Sequence, residues 1–138
     1  ILEFKRQNLS LDDIQFQINT VEDILQIIFE MKNYTTGELA IKNNLDLTIK
    51  YNKSIELLSQ RIRFWDIENV YFFINEIESE LKKEKEFLIN FLSKIIINVK
   101  HSVESEDLKK LINLKNSIRS NVNVKSVIFN FFDILQSS

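Results

Sequence analysis

The chain has 138 residues, and 18 basic against 20 acidic side chains leave a net charge of −2. Charges of both signs are interspersed, which argues against the basic stripe of a nucleic-acid binder, and the lack of cysteine removes disulfides, thiolate zinc sites and thiol catalysis. Hydrophobic residues make up 44 % and charged residues 28 %, a globular composition that is expected to form one domain over residues 1–138.

One glycine and no proline, where a globular chain carries roughly 12 % of the two together, leave few signals that stop a helix. Residues 1–9 read as a short lead-in. Ser10-Leu11-Asp12-Asp13 approximates a capping box. Leu11, Ile14, Ile18, Val21, Leu25 and Ile28 then recur every three or four residues, which predicts a first helix from about 11 to 33. Thr35-Thr36-Gly37-Glu38 holds the single glycine and repeats the capping spacing, so a turn into a second helix is expected there. The core stripe of that helix is Leu47, Tyr51, Ile55, Leu58, Ile62 and Trp65.

Asp66 is a candidate N-cap for a third helix, with a continuous bent helix through this point as the competing reading. Val70, Ile74, Ile77, Leu81, Leu88, Phe91 and Ile95 follow heptad spacing, with Glu84 in the one polar slot. That pattern predicts a helix over 67–100, about 51 Å long at 1.5 Å per residue. After the mostly polar stretch 101–104, Ser105-Glu106-Asp107 opens a fourth helix through Leu108, Leu111, Ile112 and Ile118. Ser120-Asn121-Val122-Asn123 reads as a break with Asn cap candidates. Val124, Val127, Ile128, Phe131, Ile134 and Leu135 then mark a last helix. The expected fold is all-α: an antiparallel up-down four-helix bundle with the last arm broken into two shorter helices, about five helices in all.

Residues able to do chemistry are sparse. His101, the lone histidine, follows a helix end and reads as a capping or solvated side chain. Glu76, Glu80 and Glu84 lie four apart on one face, but a di-metal bundle site needs Glu-x-x-His on two helices, and the residue three before His101 is Asn98. The run Lys82-Lys83-Glu84-Lys85-Glu86 is mixed in sign and reads as solvated surface. There is no Gly-x-Ser-x-Gly turn and no glycine-rich phosphate loop. No enzyme activity, cofactor or metal is expected. No apolar run reaches the roughly 18 residues of a membrane span; the nearest, 87–99, is interrupted by Asn90, Ser93, Lys94 and Asn98.

Two aromatic clusters remain. Phe64-Trp65-Asp66-Ile67 and Val70-Tyr71-Phe72-Phe73-Ile74 crowd one helix junction, and a helix there is apolar nearly all round, more than one core contact consumes. Phe64, Trp65, Tyr71 and Phe72 are the candidate protein-binding residues. The competing expectation is that the lead-in, through Leu2 and Phe4, buries this corner. In the second cluster, Phe129-Asn130-Phe131-Phe132, Phe131 fits the core stripe. Phe129 and Phe132 are expected to point elsewhere unless the last helix is sandwiched.

The expected function is a non-enzymatic helical-bundle module that binds another protein, with self-association as a second mode and no nucleic-acid partner expected. Heavy use of Ile, Asn, Lys and Phe is typical of AT-rich genomes. In composition the chain resembles the Cys-free, Pro-poor helical lipoproteins that bacterial pathogens with such genomes, spirochaetes among them, display to bind host serum proteins. The alternative reading is accordingly the ectodomain of a surface lipoprotein, and a third is a fragment of a larger helical or coiled-coil assembly. The first residue is Ile1, which suits a processed product. The compartment is open between cytoplasm and surface.

Overall fold

A side-chain oxygen starts the first described helix. The computed structural model describes residues 18–36, 45–120 and 122–138, which form six α-helices and one short 3-10 turn and contain no strand. The expected all-helical class holds. The leading capping box at Ser10–Asp13, the lead-in and the turn at Gly37 lie outside the described residues.

Ile18, Asn19 and Thr20 are not helical, so the helix expected over 11–33 does not run unbroken. Helix α1 is Val21–Thr36. Thr20 Oγ1 accepts from the Asp23 N–H at 3.1 Å, and Asp23 Oδ2 accepts from the N–H groups of Thr20 at 3.1 Å and Asn19 at 3.0 Å. This reciprocal cap satisfies donors that a helix start leaves without partners. Val21, Ile24, Leu25 and Ile28 are buried along one stripe, as the spacing predicts.

The chain divides into two compact units, 1–54 and 55–138, with the boundary inside helix α2, Leu45–Arg61. In the first unit Tyr51 is buried, and burial pushes its hydroxyl pKa above the usual value. Two buried serines of α2 satisfy their hydroxyls on the preceding turn, Ser54 on the Lys50 carbonyl at 2.8 Å and Ser59 on the Ile55 carbonyl at 2.7 Å.

In the second unit, α2 tightens into the 3-10 turn Ile62–Phe64. Trp65 and Asp66 are then extended, with ψ of 144° and 148°, so no continuous helix passes the junction. Trp65 therefore leaves the helical stripe assigned to it. Asp66 occupies the N-cap position of α3, Ile67–Leu81, but its side chain makes no capping hydrogen bond. Its carbonyl accepts from the Val70 N–H at 3.1 Å.

The single helix expected over 67–100 is two helices, α3 and α4, Lys85–Val99. Glu84 sits between them at φ −107°, ψ 62°, outside the helical region. The interruption falls at the one polar slot of the heptad, and Leu81 and Leu88 on either side are fully buried. Helix α5 is Ser105–Ser117. Helix α6 is Val124–Ser137, capped by Asn123 Oδ1, which accepts from the Ser126 N–H at 3.2 Å.

Helix α6 packs against α5, α3 and the 3-10 turn, while α4 packs against α5 and touches α3. This sandwiching explains why Phe132 is fully buried and not turned away from the core. Its ring meets Phe73 edge-on at 5.3 Å and Phe131 at 5.5 Å. Such pairs contribute about 0.5–1.5 kcal/mol each beyond the area they bury.

Candidate protein-binding surface

Helix α3 buries Val70, Phe73, Ile74, Ile77 and Leu81 along one face. Apolar side chains at other positions of the same helix must then face outward, because helical spacing turns successive residues about 100° apart. Ile67 is 52 % exposed, Tyr71 44 % and Phe72 39 %, and on α6 Phe129 is 37 % exposed.

The aromatic corner is thus divided. Tyr71 stacks on Phe129, ring centroids 5.3 Å apart and planes 22° from parallel. This contact joins two residues that the sequence placed in separate clusters. Trp65 is half-buried and rests edge-on against Phe73 at 5.5 Å. Its carbonyl accepts from Gln136 Nε2 at 3.1 Å, so Trp65 ties the start of α3 to the end of α6. Phe64, 79 % exposed, stands under the Arg63 guanidinium at 6.0 Å. Leu2 and Phe4 lie outside the described residues.

The Trp65–Gln136 and Tyr71–Phe129 contacts run in opposite chain directions, which makes α3 and α6 antiparallel. Ile67 lies one turn before Tyr71 and Asp133 one turn after Phe129, so the two sit at the same level. Around this ridge the charge is mostly acidic, with Lys125, one turn before Phe129, as the basic neighbour on α6. Between Arg63 and Lys82 the sequence holds five acidic residues and no basic one. Glu68 is one turn before both Tyr71 and Phe72, and Glu76 is one turn after Phe72. Composition over the whole chain hides this, since the balance of charge is near neutral.

Phe64 also lines a groove of 260 Å³ with Gln60, Arg63, Asn98 and Ser102. That volume is below the range of roughly 300–1,000 Å³ usual for small-molecule sites. Two of its polar groups are turned to the backbone: Ser59 as above, and Asn98 Nδ2, which donates to the Lys94 carbonyl at 2.9 Å.

Glu84 lies past the end of α3, so Glu76, Glu80 and Glu84 do not share a helical face. Among the described residues no group of three or more His, Cys, Asp or Glu side chains is placed to hold a metal. His101 is exposed in the turn after α4. No helix among the described residues is long and apolar enough to cross a membrane.

These features define an all-helical protein with an outward aromatic ridge across two antiparallel helices. The chain matches no protein-family model, no curated protein and no solved structure.

Proposed function

We propose that this chain is a non-enzymatic helical module that binds another protein, and that the contact surface is the ridge of Ile67, Tyr71, Phe72 and Phe129. The observation that carries the reading is the outward Tyr71–Phe129 stack. Large aromatics grouped on a surface are the usual anchors of protein interfaces, since they offer much apolar area for little rotamer entropy. Trp65 serves from behind, holding the base of the ridge through Phe73 and Gln136. Phe64 is the outlying member. Part of the same reading is an up-down antiparallel bundle as scaffold, which the opposed directions of α3 and α6 support for that pair.

The test uses the full chain and a Tyr71→Ser, Phe129→Ser double variant in affinity capture from the native organism or its host. The variant is expected to stay folded, with a thermal midpoint lowered by roughly 5–15 °C as two part-covered rings are lost, and to lose the captured protein. Capture of the same protein by a folded double variant would overturn the assignment.

A further inference from the structure

We infer that the occupant of this surface is a cationic amphipathic helix of a partner protein. The inference rests on the reading of the chain as an interaction module and adds the chemistry of what it binds. The ridge has the form a helical segment needs. Ile67 and Tyr71 present apolar contacts one turn apart on α3, and the stacked Phe129 extends them across to α6. An incoming helix with apolar side chains at i, i+3 or i+4, and i+7 meets such a row.

The charge around the ridge selects the sign of the partner. Asp66, Glu68, Glu76 and Asp133 border it, and none of their carboxylates has an ion-pair partner among the described residues. Against these four carboxylates stands one basic side chain of α6, Lys125, one turn before Phe129, so the rim keeps an acidic excess. Lysines or arginines flanking the apolar stripe of the incoming helix meet these carboxylates. They also meet the faces of Tyr71, Phe72 and Phe129, whose quadrupoles attract cations. A second copy of this chain docked by the same surface brings two rims of acidic excess together, four carboxylates against one lysine on each side, because an isologous contact pairs a patch with itself. Anionic lipid and nucleic-acid phosphate are repelled by the same rim.

The probe is a labelled amphipathic peptide of about 18 residues, long enough to form a helix, with Leu on one face and Lys on the other. A second peptide carries Glu in place of Lys. Fluorescence anisotropy with the full chain is expected to show binding of the Lys peptide and none of the Glu peptide. Binding is expected to weaken at least about tenfold between 0.05 and 0.5 M salt as screening shortens the reach of the rim charges.

Glu68→Lys with Glu76→Lys is expected to weaken the Lys peptide at least tenfold, as is Tyr71→Ser with Phe129→Ser. Glu76→Lys alone, clear of the first turn of α3, keeps the test valid if the double reversal loosens that turn. The inference is overturned if the charge reversals leave affinity unchanged, if the Glu peptide binds equally, or if light scattering finds a dimer that Tyr71→Ser dissolves. Loss of binding on the aromatic changes with none on the charge changes defeats this inference and leaves the module reading standing. Indifference to both sets defeats the two together.

Discussion

Asp23 shows how much one carboxylate does at a helix start. The N–H groups of Asn19 and Thr20 hold its pKa below the usual aspartate value, because they bond the charged form. A carboxyl whose folded pKa is depressed contributes stability above its unfolded value of about 3.9, and that contribution is lost as pH falls through the lower folded value. Asp23→Asn is therefore expected to lower the thermal midpoint at neutral pH, with the two proteins converging in acid. Thr20→Ala removes the reciprocal acceptor and is expected to cost about 1 kcal/mol in urea unfolding. Tyr34 offers the opposite case. Its hydroxyl is buried with no hydrogen-bond partner among the described residues, so Tyr34→Phe is expected to be neutral or stabilising by up to about 1 kcal/mol in the same assay. The cap was legible as Thr20-x-x-Asp23, but the apolar period from Leu11 to Ile28 runs straight through it. Periodicity reports which side of a helix is apolar and is silent about where that helix begins. Asp66 erred the other way: a good N-cap residue in the N-cap position makes its contribution through the backbone alone.

Among the elements, the joint between α3 and α4 is the clearest divergence from the pattern. Lys82, Lys83 and Glu84 connect two helices of 15 residues each. Three connecting residues are nearly one helical turn of 3.6, so the apolar phase carries across the joint and Leu81 and Leu88 keep their heptad spacing. A continuous and a broken helix thus write almost the same sequence. Proline distinguishes them. Lys85 is the first residue of α4, a position that tolerates proline because its N–H has no helical partner. Lys85→Pro is expected to cost no more than about 1 kcal/mol, whereas within one long helix it would cost about 3 kcal/mol or more. Equilibrium denaturation decides between the two. The start of α6, by contrast, was legible, since Asn123 is a strong capping residue and caps as expected.

At the scale of the molecule, two phenylalanines three positions apart have opposite fates. Phe132 is fully buried among Phe73 and Phe131, while Phe129 is partly open and stacked on Tyr71. Phe132→Ala is expected to destabilise by about 3–5 kcal/mol, the range for emptying a core phenylalanine. Phe129→Ala is expected to stay within about 1–2 kcal/mol, its loss limited to the stack and a part-exposed ring. Paired urea titrations measure the difference. Spacing of three and four apolar residues, with almost no glycine or proline to interrupt it, was sufficient to specify helices, because that requirement is local and repeats along the chain. The same spacing did not say which aromatics of an all-round apolar helix turn inward. That choice depends on how many neighbours surround the helix, and α6 acquires its neighbours on both sides only when α3, α5 and the 3-10 turn close on it. The acidic rim was written between Arg63 and Lys82 all along. It became a surface feature when packing left Tyr71, Phe72 and Phe129 outside.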